Sequence, residues 1–194
     1  RRGFGSGVAP KYPRAQEARF LTDGEITTLL KTAEGTRLQR PIAFMLATGV
    51  RSSELFALRK SDLALDEAIP YVTIRANVRT AEGPVEWGTA KTVNGLRSID
   101  LSPATVELIK SHIGTLILEK SASEKWEDDS LLFPSLAGTV WQYRNFKKLW
   151  DKIIKESGIE PAGPHSLRHS HASHSIKAGE QVFYLSRRLG HSNV

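Results

Sequence analysis

Residues 165–169 read His-Ser-Leu-Arg-His, and a second short stretch, residues 189–191, reads Leu-Gly-His. Near the start of the chain, residues 48–55 run Thr-Gly-Val-Arg-Ser-Ser-Glu-Leu. Together these stretches supply four hydrogen-bond donors of the kind that binds phosphate oxygens: Arg51, His165, Arg168 and His191. They come from distant parts of the chain, so a fold that uses them must bring them together.

The two arginines indicate the chemistry of such a site. A guanidinium is permanently charged and offers a planar fork of N–H donors that matches two phosphate oxygens, which the point charge of lysine does less well. Arg168 follows His165 by three positions, and this spacing places both side chains on one face of a helix. The sequence therefore predicts a site for an anionic phosphorus centre.

Composition agrees with this prediction without requiring it. The net charge of +6 over 194 residues favours a polyanionic partner, although a mildly basic protein without such a partner is equally compatible. Cysteine is absent, which excludes disulfides and thiolate metal sites. No apolar run approaches the ~20 residues that span a membrane, and no secretory signal is visible. We expect a cytoplasmic protein with no membrane partner.

The order of the predicted elements indicates a mixed α/β fold that is predominantly α-helical, with a small antiparallel sheet or hairpin. Residues 1–19 are predicted as a basic arm or linker, because glycines and prolines interrupt them, and residues 20–194 as one domain. Helices are predicted at about 22–33, 41–48, 52–58, 104–120, 140–157, 165–178 and 182–188. Strands are predicted at 71–74 and 85–87 with a turn at 82–84, and residues 131–134 as a short buried segment.

Asn94-Gly95 is a strong signal for a tight hairpin, because both residues tolerate positive φ. A two-residue loop there would place Lys91 opposite Ser98 on an exposed ribbon. In the helix at 140–157, one face is predicted to be buried: Phe146, Leu149, Trp150, Ile153 and Ile154. Its other face carries Arg144, Lys147 and Lys148, which we predict to contact DNA phosphates together with the arm residues Arg1, Arg2 and Lys11. Tyr184 lies among apolar neighbours and is predicted to pack in or near the core.

The motifs T-G-x-R-x-x-E-L, the Lys91 hairpin, H-x-L-R-H and L-G-H occur here in the order found in tyrosine recombinases. The chain resembles the catalytic domain of this phage-integrase family over roughly residues 20 to 194. The resemblance implies an enzyme that cleaves and rejoins double-stranded DNA through a 3′-phosphotyrosyl intermediate. It also implies other recombinase protomers as partners, in a tetrameric synapse on DNA.

The resemblance further implies a role for each matched residue. Arg51 and Arg168 would clamp the scissile phosphate, and His191 would donate a hydrogen bond to it. His165 would accept the proton of the attacking tyrosine, and Lys91 would protonate the departing 5′-oxygen. Two further residues would support the site, Glu54 by orienting Arg51 and His169 by buttressing the active-site helix.

The family's nucleophilic tyrosine is expected shortly after the L-G-H motif, and the sequence stops at Val194. The 194 residues are therefore expected not to cleave DNA, and Tyr184 is not favoured as a substitute nucleophile. An alternative is a catalytically silent DNA-binding or regulatory relative. A type IB topoisomerase is a weaker alternative, because the amino-acid sequences of the motifs resemble those of integrases.

No cofactor is expected, and the histidines do not favour a metal site. His165 and His169 have a spacing that can bind Zn²⁺, as do His171 and His174, but no His-Glu-x-x-His motif is present. Arg168 would also place a fixed positive charge among the ligands. His171 and His174 are predicted to be surface or packing residues.

Overall fold

The structure is a computed structural model, and it describes residues 19–80, 84–89 and 96–190. The helices of this part are α1 (Asp23–Thr32), α2 (Gln39–Thr48), α3 (Ser52–Leu55), α4 (Pro103–Ser121), α5 (Tyr143–Ser157), α6 (His165–Lys177) and α7 (Val182–Leu189). The strands are β1 (Leu63–Ala64), β2 (Tyr71–Ile74), β3 (Ala76–Arg79), β4 (Glu86–Thr89) and β5 (Arg97–Asp100). The predicted fold class, mainly helical with small antiparallel sheets, is confirmed.

Local sequence signals set several helix ends. Thr22 and Glu25 form a reciprocal capping box at the start of α1. Ser102 accepts a bond from the backbone N–H of Thr105, and Pro103 follows it as the first residue of α4. Helix α3 ends at Leu55, three residues earlier than predicted, because the chain turns there to lead into a 3₁₀ turn at Lys60–Asp62.

Helix α2 forms the centre of the core. Its Ile42, Phe44 and Met45 are buried, and it packs against α1, α4 and α6. Helix α5 packs against α1, and its Phe146, Trp150, Ile153 and Ile154 are all buried as predicted. Leu149 was wrongly predicted to be buried: it is 37% exposed, because the buried face of α5 is too narrow to include it.

Helix α6 differs from the other core helices in the chemistry of its buried face. Apart from Leu167, its buried residues are polar: Ser166, Arg168, Ser170 and His171. Ser170 accepts a hydrogen bond of 2.7 Å from the backbone N–H of Leu21, and the His171 ring bonds the Leu46 carbonyl at 2.8 Å. Directional hydrogen bonds therefore contribute to the positioning of this helix, beside the packing of Leu167.

The strands form two separate sheets. In the first, β2 lies between β1 and β5, and both pairings are antiparallel, with Tyr71 opposite Asp100 and Ile74 opposite Arg97. In the second, β3 pairs with β4 as an antiparallel ribbon. The sequence did not predict β3, which is the strand that pairs with β4, the strand predicted at 85–87. Ile99 of β5 and Leu101, which follows that strand, are both buried.

Tyr184 was wrongly predicted to pack in the core. It is 55% exposed, and its neighbours Val182 and Phe183 are also exposed. Only Leu185 and Leu189 of α7 are buried, one helical turn apart, so α7 contacts the domain along a single narrow stripe. None of the described helices is both long enough and apolar enough to cross a membrane.

Candidate active site

The ends of α2 and α7 meet the middle of α6 at Gly49, the glycine of the T-G-x-R motif. Gly49 terminates α2 with φ of 69°, a left-handed conformation that glycine adopts without strain. A Cβ atom at this position would lie 2.6 Å from His171 Cδ2 and 2.6 Å from Leu189 Cδ2. The glycine therefore serves two needs: it turns the chain into Arg51, and it allows α6 and α7 to approach.

Arg168 lies at this junction and is 3% exposed. Its guanidinium donates to the Gly49 carbonyl at 2.8 Å and to the Leu189 carbonyl. Burial is the main cause that lowers its pKa to about 10, and the nearby positive charge of Arg51 adds to the effect. In the part of the chain that the structure describes, no carboxylate lies within ion-pair distance of Arg168.

Arg51 is the N-cap residue that immediately precedes α3, and its guanidinium is partly exposed. The Glu54 carboxylate accepts from the Arg51 backbone N–H at 2.9 Å and from its guanidinium at 3.0 Å. Glu54 also accepts two bonds from Arg97 of β5, at 3.0 and 2.9 Å. Burial by itself would raise the pKa of Glu54, but the bonds and charges of Arg97 and Arg51 outweigh it and lower the pKa.

Arg97 is a residue of the site that the sequence analysis missed. Its side chain is only 7% exposed, and besides Glu54 it contacts the Arg188 carbonyl at 2.7 Å, near the end of α7. Its carboxylate partner lies 43 positions away in the sequence, so no local pattern marks it.

His165 is the first residue of α6 and is exposed, and its ring centroid lies 4.7 Å from that of His169 with the two rings nearly perpendicular. Desolvation of the ring lowers the pKa of His165, and the charges of His169, Arg168 and Arg51 lower it further. The imidazole is therefore neutral near pH 7 and able to accept a proton.

The end of α7 is held from several sides. Arg188 donates to His171 Nε2 at 3.2 Å and to Glu180 at 2.6 Å. The Nδ1–H of His171 then donates to the Leu46 carbonyl, and burial lowers the pKa of His171 and keeps it neutral. Gly190, with φ of 69°, closes the helix one residue before His191.

Three of the basic residues predicted to contact DNA, Arg144, Lys147 and Lys148, lie in the first turns of α5. Arg144 and Lys148 are exposed, whereas Lys147 bonds both carboxylate oxygens of Asp151 at 2.6 Å. These side chains, with Tyr143, line a shallow depression of about 630 Å³. Lys147 therefore carries a partner that reduces its net attraction for phosphate.

The structure brings Arg51, Glu54, His165, Arg168 and His169 to one region. Lys91, the Asn94-Gly95 turn, His191 and the arm residues Arg1, Arg2 and Lys11 lie outside the described residues. Within the described ranges, no three His, Asp or Glu side chains converge closely enough to hold a metal ion.

Comparison with known sequences identifies the family. The sequence model of the phage integrase family matches residues 19–194, so the chain belongs to that family. It is 28% identical over 196 residues to an integrase of Streptomyces ambofaciens, a match that covers 95% of this chain and 49% of the relative. It is 25% identical over 201 residues to a XerC-like tyrosine recombinase of Caldanaerobacter subterraneus subsp. tengcongensis, covering 96% of this chain and 51% of that protein. The chain thus spans about half the length of these relatives.

Solved structures share the fold. The Tn1549 transposon integrase in complex with transposon right end DNA superposes with a TM-score of 0.80 at 20% identity, covering 93% of this chain and 60% of that one. The XerA recombinase superposes with a TM-score of 0.69 at 22% identity, covering 96% of this chain and 59% of the other. At these identities the likeness establishes the fold alone.

Proposed function

We propose that this chain is the catalytic domain of a site-specific DNA recombinase that acts on double-stranded DNA in the bacterial cytoplasm. In the proposed reaction a tyrosine hydroxyl attacks the scissile phosphorus, forms a 3′-phosphotyrosyl bond and releases a 5′-hydroxyl. Arg51 and Arg168 bind the non-bridging oxygens, with His191 as a further donor. His165 accepts the tyrosine proton, and Lys91 supplies a proton to the leaving 5′-oxygen.

One observation carries this proposal, which is the excess of positive charge at the site. In the described part of the chain, the guanidiniums of Arg51, Arg97 and Arg168 converge there with one carboxylate, that of Glu54. Among the described residues, Arg168 bonds only neutral carbonyls, so no carboxylate there offsets its attraction for an anion. A phosphodiester passing through a more highly charged transition state fits this arrangement.

The neutral state of His165 supports its role in the same reaction. A general base must be unprotonated at the working pH, and the lowered pKa of His165 meets that condition. Glu54 supports Arg51 through two bonds, and His169 supports the His165 ring by contact. We propose that the attacking tyrosine follows the L-G-H motif in the intact protein and that the protomers act as a tetramer on DNA.

The test uses the intact protein, including the segment that carries the tyrosine, on a nicked suicide DNA substrate that traps the covalent product. Arg51→Ala and Arg168→Ala should each slow single-turnover cleavage by ~10²-fold or more, because each removes a charged donor from the transition state. Lys110→Ala serves as the control, since Lys110 is an exposed residue of α4. An intact protein that binds DNA but never forms the covalent product would instead be a silent DNA-binding relative.

A further inference from the structure

We propose that Arg97 is a positioning residue that aligns the Arg51 side of the site with the end of α7, from which His191 follows. This inference rests on the proposed function. Arg97 is nearly buried, and its guanidinium uses three N–H groups on two different elements. It is therefore placed to act on the phosphate-binding groups through their neighbours, without touching the phosphate.

The first element that Arg97 contacts is α3, through Glu54. The Glu54 carboxylate accepts four hydrogen bonds, two from Arg51 and two from Arg97. Each Glu54 oxygen is shared between one donor of Arg51 and one of Arg97. Because a parallel pair of N–H bonds fixes the carboxylate plane, Arg97 determines how Glu54 presents its oxygens to Arg51.

The second element is α7. The Arg188 carbonyl accepts from Arg97 Nε at 2.7 Å, and the next carbonyl, that of Leu189, accepts from Arg168. Two arginines from β5 and α6 therefore bind successive carbonyls in the last turn of α7. His191 lies two residues beyond Leu189, so the bond from Arg97 holds the helix end that precedes it.

A purely structural ion pair is the alternative role, and Arg37 provides a matched example of one. Arg37 is also mostly buried, and it donates to the carboxylate of Glu119 and to the carbonyls of Pro134 and Ser135 at 2.9 and 3.0 Å. It has the same kinds of partner as Arg97, but it lies outside the cluster formed by Arg51, Glu54 and Arg168. Loss of Arg37 should therefore reduce stability without a specific effect on cleavage.

Removal of Arg97 should change the titration of Glu54 in a defined direction. The charged and titratable groups acting on this carboxylate from the described residues include Arg51 at the start of α3, Arg97 of β5, and Arg168 and His165 of α6. Arg97 contributes the largest effects that lower the pKa of Glu54, so its removal should raise that pKa. Glu54 then becomes neutral as the pH falls through the raised pKa, and Arg51 loses its anchor.

The experiment compares Arg97→Gln, Arg97→Lys and the control Arg37→Gln in the intact protein, by single-turnover cleavage as a function of pH and by DNA affinity. Arg97→Gln should slow cleavage by on the order of 10²-fold, as a misplaced catalytic group does, with little change in affinity. It should also show a new loss of rate toward acid pH. Arg97→Lys keeps the positive charge but loses the pair of N–H donors that binds both Glu54 oxygens. It should therefore cleave slowly, without the additional loss of rate toward acid pH.

A second readout does not depend on cleavage. With ¹³C-labelled glutamate carboxylates, and Glu54→Gln to assign the signal, the pKa of Glu54 should rise in Arg97→Gln and stay low in Arg97→Lys and Arg37→Gln. An Arg97→Gln protein that cleaves no more slowly than Arg37→Gln, or that keeps a low Glu54 pKa, overturns the inference. If the parent protein cleaves no DNA, the proposed function fails, and the titration still decides whether Arg97 controls Glu54.

Discussion

Replacement of Gly49 by alanine tests whether the junction of α2, α6 and α7 is built as described. Gly49 has φ of 69°, where an L-residue is strained by about 1–2 kcal/mol. The added methyl group would also lie 2.6 Å from both His171 Cδ2 and Leu189 Cδ2. Forcing a methyl group into a packed interior costs roughly 1–3 kcal/mol more. We expect Gly49→Ala to lower the free energy of unfolding by about 2–5 kcal/mol in total.

Gly158→Ala is the matched control for this variant. Gly158 ends α5 with φ of 68°, and nothing lies within 4 Å of a Cβ atom there. The control therefore carries the same backbone strain, and the same entropy change in the unfolded chain, without the clash. The difference between the two variants isolates the packing cost.

The assay is urea denaturation of both variants and the parent, followed by DNA cleavage by the intact proteins. Because the methyl group pushes Leu189 away from α2, the two carbonyls that bind Arg168 should separate, and cleavage should fall in Gly49→Ala alone. Equal losses of unfolding free energy in the two variants would refute the close approach of His171 and Leu189 to Gly49.

Further predictions concern three other sites. Lys148→Ala should reduce the slope of log DNA affinity against log salt concentration by roughly 0.9. Lys147→Ala should reduce it by less, because Asp151 already pairs with Lys147. Equal slopes in the two variants would contradict this. Lys91→Ala should cleave slowly, and a 5′-bridging phosphorothiolate should restore its rate because sulfur needs little protonation to leave; a failure to restore it would exclude Lys91 as the acid. Burial lowers the pKa of His112 to about 4, below its ordinary value in the unfolded chain. As the pH drops from about 6.5 to 4, the unfolded chain therefore takes up this proton before the folded chain does, and the free energy of unfolding should fall by roughly 3 kcal/mol. His112→Gln should lose this contribution in denaturation curves, whereas the contributions of His165, His169 and His171, whose pKa values are also lowered, should remain.

The sequence predicted the candidate site best where the site residues lie close together along the chain. Gly49, Arg51 and Glu54 lie within one short motif, so their proximity follows from the chain itself. His165 and Arg168 share one helix, and their spacing fixes their common face. The helix signals around Thr22 and Ser102 were also sufficient, because capping depends on residues within one turn.

Features that depend on distant partners escaped prediction. Arg97 is one of two adjacent polar residues in a short strand, and only the folded chain brings it to Glu54 and Arg188. Strand β3 has four residues of mixed burial, too few to give a clear alternation. Tyr184 was misplaced because an apolar run on a helix does not reveal how narrow the buried stripe is. The exposure of Leu149 has the same cause.

The polar buried face of α6 limits how far this helix can move within the domain. A helix held by apolar contacts can slide or rotate slightly at small cost, whereas hydrogen bonds weaken steeply when their angles change. Through Arg168, Ser170 and His171, α6 is bonded to the backbones of Gly49, Leu21 and Leu46. A shift by one residue would break all three bonds together. Any adjustment that the proposed binding to different DNA sites requires should therefore come from elements other than α6.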